Sequence, residues 1–324
     1  MIEQFMALSP VIPYIVLVVS FVALIKGADF FVEGASSLAK KLGVSSVIIG
    51  LTVVAMGTSA PEAAVSISAG LQGSNEIALG NVIGSNLFNL LVVLGFCMLI
   101  TKIPSSEETI KRDFPWNIIA TVAIIAAIVI FDTKITRLEG IALLVLFVTY
   151  MSYLVYKTIK DRKPADEEIA EISLTKSLLF LIGGLAFVIV GGDLVVDSAT
   201  VIAKSWGVSD ALIGLTIIAM GTSLPELVTS IVAAKKNECD MAIGNVIGSN
   251  LFNLLFVLGM SATISPIAID LTSGILIDAV VLLAVTVMMY IFSITGNKLQ
   301  KLEGVAALLC YGGYLAYIIT RAFS

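Results

Sequence analysis

Residues 50–67 read GLTVVAMGTSAPEAAVSI, and residues 214–231 read GLTIIAMGTSLPELVTSI. The two stretches lie 164 positions apart and agree at 12 of 18 places. A second pair is closer still: GNVIGSNLFNLLVVLG at 80–95 and GNVIGSNLFNLLFVLG at 244–259 differ only at Val92 against Phe256, with the same offset. Asp29 matches Asp193, Gly43 matches Gly207, and Arg137-Leu138-Glu139-Gly140 matches Lys301-Leu302-Glu303-Gly304. The chain is thus two homologous halves, each with one glutamate, Glu62 or Glu226, inside an otherwise apolar run.

The surroundings of these stretches define the class. With 58% apolar and 13% charged residues in 324 and a mean hydropathy of +1.04, the chain lacks the charge that a water-exposed surface needs. Apolar runs near 11–40, 44–70, 77–101, 116–131, 138–157, 175–204, 208–234, 241–263, 275–292 and 301–321 are each long enough to cross a hydrocarbon core of about 30 Å. The expected fold is an all-α polytopic membrane protein of ten transmembrane helices. Five spans per half is an odd number, so the second half must enter the membrane from the opposite side, giving two inverted five-helix repeats. The division is 1–157 for the first repeat, 158–174 for a charged cytoplasmic linker that Pro164 keeps from being one continuous helix, and 175–324 for the second repeat.

Basic residues orient the chain, because they concentrate on the cytoplasmic side. Loops assigned to one side hold Lys40, Lys41, Lys102, Lys111, Arg112, Lys157, Lys160, Arg162, Lys163, Lys176, Lys235, Lys236, Lys298 and Lys301, against Lys134, Arg137, Lys204 and Arg321 on the other. Both termini are therefore expected outside the cytoplasm. The first apolar run has no basic n-region and no small-residue cleavage site, so it reads as a retained span. Cys97, Cys239 and Cys310 have no metal or redox spacing and read as packing residues. Histidine is absent, which leaves carboxylates to handle charge inside the membrane. A net charge of -5, scattered along the chain, gives no sign of a nucleic-acid partner.

The chemistry lies in the duplicated blocks. Pro61 and Pro225 lack an amide hydrogen, so the helix ladder breaks and the carbonyls of Gly57 and Gly221 are expected to lose partners. Unpaired backbone is tolerated in a membrane only where protein, water or an ion replaces the lost bonds. Thr58 and Ser59 stand four and three residues before Glu62, and Thr222 and Ser223 repeat this before Glu226, which places hydroxyls near each carboxylate on a near-helical path. Asn81, Ser85 and Asn89 recur at spacings of four and share a helix face, as do Asn245, Ser249 and Asn253. The donors are all oxygen, from carboxylate, hydroxyl, amide and carbonyl, a set that suits calcium, sodium or magnesium and not zinc or copper.

Small residues and hydroxyls also serve close helix packing, and GNVIGSN taken alone reads that way. The glutamates do not. A mid-membrane carboxylate costs roughly 2.5 kcal/mol or more, and two at equivalent positions beside helix breaks have no packing explanation. Weaker polar positions read otherwise: Asp29, Asp193, Glu33 and Asp197 as interfacial hydrogen bonding or helix-end water contact, with a place on the ion path as the alternative, and Glu139 and Glu303 as helix starts, where a carboxylate complements the dipole.

The paired blocks GTSAPE with GNVIGSNLFN and GTSLPE with GNVIGSNLFN resemble the alpha repeats of the sodium/calcium exchanger family, in its compact prokaryotic form without a large cytoplasmic insert. The resemblance implies a ten-helix fold with ions held by Thr58, Ser59, Glu62, Ser85 and Asn89, then Thr222, Ser223, Glu226, Ser249 and Asn253. It also implies carbonyl ligands at Ala55, Thr58, Ala219 and Thr222, first and sixth helices that slide across the rest, and residence in the plasma membrane of a prokaryote. Potassium-dependent relatives carry aspartate where this chain has Asn253, so exchange without potassium is expected.

The expected function is a sodium/calcium antiporter that exports calcium by alternating access, driven by inward sodium, with no cofactor. Calcium and sodium ions and the lipid bilayer are the expected partners, and the repeat closes a site within one chain, so a monomer suffices. A proton/calcium or potassium-dependent exchanger is the neighbouring alternative. A cation channel would need a continuous pore. An intramembrane enzyme would need a nucleophile with a base or a metal cluster, and none is evident.

Overall fold

The computed structural model describes residues 6, 9–72, 75–130, 134–160, 172–208, 210–269, 273–296 and 298–322. Most of the 158–174 linker, with Pro164, lies outside these residues.

The chain is all-helical. In order come α1 (Ile12–Leu42), α2 (Ser46–Thr58), α3 (Ala60–Leu71), α4 (Ile77–Ile100), α5 (Thr109–Val129) and α6 (Arg137–Lys160). Then follow α7 (Leu174–Ser205), α8 (210–221), α9 (Leu224–Lys235), α10 (Cys239–Ile264), α11 (Ile275–Ile294) and α12 (Lys301–Ala322). Eight described helices are each long and apolar enough to cross a membrane, and the bent pair α2–α3 makes a ninth candidate span. Two of the apolar runs of the sequence, 44–70 and 208–234, hold helices that are broken. α2 and α3 meet at Ser59 with a bend of 48°, and α8 and α9 meet at Thr222–Ser223. In each case the proline opens the second piece, where its missing amide hydrogen costs no intrahelical bond.

The helix ends follow local chemistry. Gly43 closes α1 in a left-handed conformation at φ 64° that an L side chain adopts only with strain. Glu139 accepts from the Thr136 amide at 2.6 Å while Thr136 Oγ1 accepts from the Glu139 amide at 3.4 Å, a reciprocal cap. Glu303 accepts from the Gln300 amide at 2.7 Å. These two glutamates start helices, as their position in the sequence implies.

At 31 and 32 residues, α1 and α7 outrun a hydrocarbon core of about 30 Å at 1.5 Å per residue. They pack backbone to backbone. A Cβ added at Gly184 would stand 2.5 Å from the Phe31 amide nitrogen, and one at Gly34 would stand 2.6 Å from that of Leu181. Small residues allow this approach, which side chains would prevent. Behind the pair, α10 is the most enclosed helix and α12 the least, with 94% and 11% of their apolar windows buried. Two short strand pairs link the halves: Ile103 and Pro104 pair with Leu299 and Lys298, while Lys134 and Ile135 pair with Ala268 and Ile267.

Candidate cation-binding site

The two helix breaks meet the two GNVIGSN helices at the centre of the protein. Glu62 and Glu226 open the first turns of α3 and α9 and are fully buried. Each carboxylate is held by the other half. Ser59 Oγ donates to Glu226 Oε1 at 2.7 Å, and Ser223 Oγ donates to Glu62 Oε1 at 2.9 Å. Local spacing places Thr58 and Ser59 beside Glu62, but the 48° bend turns the hydroxyl of Ser59 across the interface instead. Ser249 Oγ also reaches Glu226 Oε1 at 3.4 Å.

The remaining polar residues of the blocks divide into two groups. Asn81 and Asn245 brace the broken helices: Asn81 Nδ2 donates to Ser66 Oγ at 3.0 Å, Asn245 Nδ2 to Ser230 Oγ at 2.9 Å, and Thr58 Oγ1 to Asn245 Oδ1 at 3.2 Å. Ser85, Asn89 and Asn253 leave oxygens exposed to the site. Among the described residues, Glu62 Oε2, Glu226 Oε2, Ser85 Oγ, Asn89 Oδ1 and Asn253 Oδ1 are all buried without a hydrogen-bond partner. A buried acceptor without a partner costs about 1–3 kcal/mol, more if charged. Thr222 Oγ1 is unpartnered as well, and these oxygens, drawn from both halves, are the donor type that suits a hard cation.

The backbone differs from expectation at one point. Amides at the Ser59 turn reach the carbonyls of Ala55 and Gly57, the Ser59 amide lying 3.0 Å from the Ala55 oxygen. The turn therefore takes up the Gly57 carbonyl that Pro61 releases. Thr222 ends α8 as its cap. Ala55 is fully buried, whereas Ala219 at the matching position is exposed. The sequence reading also missed a set of widened π turns, at Gly50–Val54 and Gly214–Ile218 in the broken helices and at Asn89–Val93 and Phe252–Val257 in the GNVIGSN helices. Such turns cluster at functional sites because they redirect side chains and release carbonyls. In the two broken helices the π turn contains a threonine bonded back to the preceding turn, Thr52 to the Ile48 carbonyl and Thr216 to that of Leu212, both at 2.6 Å.

Asp29 and Glu33 lie away from this centre. Lys236, in the turn between α9 and α10, stands 2.7 Å from Asp29 and 3.7 Å from Glu33. Glu238 next to it accepts from Ser36 and, at 2.9 Å, from Ser46. Among the described residues no three Cys, Asp or Glu side chains gather as a metal cluster, so the centre is two carboxylates within a shell of neutral oxygens.

An all-helical, multi-pass membrane protein with paired carboxylates at two helix breaks is a membrane cation carrier by class. The sodium/calcium exchanger protein family model matches residues 12–156 and again 176–320, one copy per half. The chain belongs to that family, a family of cation/calcium antiporters and not of enzymes. Among relatives it is similar to the putative antiporter CaxA of Alkalimonas amylolytica, 41% identical over 93% of this chain and 96% of that protein. It is also similar to the sodium/calcium exchanger MaX1 of Methanosarcina acetivorans, 32% identical over 94% and 98% of the two chains. The solved structure of the sodium-calcium exchanger NCX_Mj superposes with a TM-score of 0.82 at 31% identity, covering 94% of this chain and 98% of that one.

Proposed function

We propose that the protein exports calcium from the cytoplasm in exchange for inward sodium, by alternating access to one central site. Its ligands are the side chains of Thr58, Ser59, Glu62, Ser85, Asn89, Thr222, Ser223, Glu226, Ser249 and Asn253, with carbonyls from Ala55, Thr58, Ala219 and Thr222. The unpartnered buried oxygens of Glu62, Glu226, Ser85, Asn89, Asn253 and Thr222, drawn from both halves, carry this reading. Two glutamates balance one dehydrated calcium ion, and the neutral oxygens complete sites for sodium. Both ions need the same carboxylates, so they compete, and competition couples their opposed fluxes.

The ten-span architecture has two inverted halves, 1–157 and 175–324, joined by the 158–174 linker. The strand pairs support the inversion. Ile103 and Ile267 are equivalent positions, as are Ile135 and Leu299, yet Ile103 pairs with Leu299 and Ile135 with Ile267. Each loop thus meets not its own counterpart but the loop one span away from it, which two halves of opposite orientation accomplish and two parallel halves do not. The halves also differ in closure. A Cβ at Gly244 or Gly248 would stand 2.6 Å from the carbonyls of Val47 or Leu51 in α2, whereas among the described residues the matching Gly80 and Gly84 have nothing within 4 Å. One side is shut and reinforced by Lys236 and Glu238, and the other is open. Exchanging these conformations between the halves moves the site's access from one side to the other.

The basic residues put the shut side in the cytoplasm and both termini outside. The plasma membrane of a prokaryote is the setting, and one chain suffices. Calcium uptake into proteoliposomes loaded in turn with sodium, potassium or buffered protons tests the proposal. Sodium-loaded vesicles alone should accumulate calcium; uptake that follows a proton gradient without sodium moves the protein to the proton-coupled alternative.

A further inference from the structure

The duplicated GSN of each half contains an asparagine that the site reading leaves without a role. Asn86 and Asn250 are fully buried, each next to a serine of the site. Asn86 Nδ2 donates to the Asn250 main-chain carbonyl at 3.2 Å, and Asn250 Nδ2 donates to the Asn86 carbonyl at 3.3 Å. A main-chain carbonyl only accepts, so these bonds fix the nitrogen end of each amide and hence the oxygen end. The fixed oxygens then act on the neighbouring turn: Asn89 Nδ2 donates to Asn250 Oδ1 and Asn253 Nδ2 to Asn86 Oδ1, both at 3.2 Å. With their nitrogens engaged, Asn89 and Asn253 have one orientation left, and it leaves Oδ1 of each buried and unpartnered. All four hydrogen bonds cross from one half to the other.

We infer that Asn86 and Asn250 are positioning residues that orient the amides of Asn89 and Asn253 with oxygen toward the cation and nitrogen away from it. The inference rests on the reading that Asn89 and Asn253 hold the ion. An amide is ambiguous at a cation site: turned over, it presents two N–H hydrogens and repels the ion it should bind. The carbonyl-anchored ring removes that ambiguity. A carboxylate has no such ambiguity, since both of its ends are oxygen.

That difference supplies the test. Calcium chloride is titrated calorimetrically into detergent-purified full-length protein in sodium-free and potassium-free buffer, using Asn86→Ala, Asn253→Asp, the double variant and Asn253→Ala. Asn86→Ala should weaken calcium binding by about tenfold, the scale of one ion-facing polar contact. In the Asn253→Asp background the same Asn86→Ala change should cost less than about twofold, because orientation no longer matters there. An equal loss in both backgrounds, or no loss in either, overturns the positioning role and leaves Asn86 a packing residue. Asn253→Ala separates the two ideas: unchanged calcium binding in that variant defeats the ligand reading itself, whereas weakened binding with additive Asn86 effects defeats only the positioning. If Asn86→Ala does not fold, judged by its melting temperature without calcium, the mirror cycle of Asn250→Ala with Asn89→Asp decides by the same ratios.

Discussion

Glu62 and Glu226 each present one oxygen to a serine of the opposite half and leave the other without a partner, so a single carboxylate both ties the halves together and keeps an oxygen free for the proposed ion. Glutamine preserves the shape and removes the charge. Glu62→Gln or Glu226→Gln is expected to abolish calcium exchange, a loss of at least about tenfold for a charge-assisted contact worth about 1.5–3 kcal/mol to a desolvated ion, while the protein still elutes as a folded species. Radioactive calcium flux into sodium-loaded vesicles measures this, and robust flux in a folded variant would sink the shared-site reading. Asn253 brings an oxygen to the same centre without charge. Exchange should therefore persist when choline replaces potassium at constant sodium, and Asn253→Asp should make the flux depend on potassium or protons. Loss of wild-type flux on removing potassium would assign the chain to the potassium-dependent group.

Among the elements, the broken helices and their glycine contacts set what can move. Gly248 on α10 stands where a side chain would meet the Leu51 carbonyl at 2.6 Å and Ala55 Cβ at 2.8 Å, while Gly84 on α4 faces open space. Gly248→Leu should overpack a closed contact and destabilise the protein by about 1–3 kcal/mol, visible as a lower melting temperature in detergent. Gly84→Leu should leave that temperature within a few degrees of wild type and still suppress calcium exchange, because the alternate state needs α4 to close on α8 as α10 closes on α2. Wild-type flux through a Gly84→Leu protein would contradict the exchange of conformations between halves.

For the whole molecule, the cross-paired loops and the basic residues make a joint statement about orientation. Ile103 with Leu299 marks one face and Ile135 with Ile267 the other. In a protein with Cys97, Cys239 and Cys310 replaced, single cysteines at 134 and near the C-terminus should react with an impermeant maleimide added to intact cells. Cysteines at 107 and 157 should react only after the membrane is opened. A C-terminus labelled only in opened cells contradicts the inversion.

The sequence by itself determined the duplication, the helical multi-pass class and the two positions where proline breaks a helix, because these rest on apolar length, proline position and residue type, all local properties. It also marked Glu139 and Glu303 as helix starts, since a cap is decided within one turn. It did not show which half each hydroxyl serves: the bend at Ser59 sends a side chain across the molecule, and spacing along one helix carries no information about a partner 167 residues away. It gave Asn86 and Asn250 no role, because only packing of the two GNVIGSN helices against each other brings an amide to the opposite carbonyl. Nor could two nearly identical blocks reveal that α10 is shut against α2 while α4 stands open to α8. Equal sequences permit either arrangement, because a glycine makes room for a close backbone approach without requiring one, and only the tertiary structure decides which side takes it.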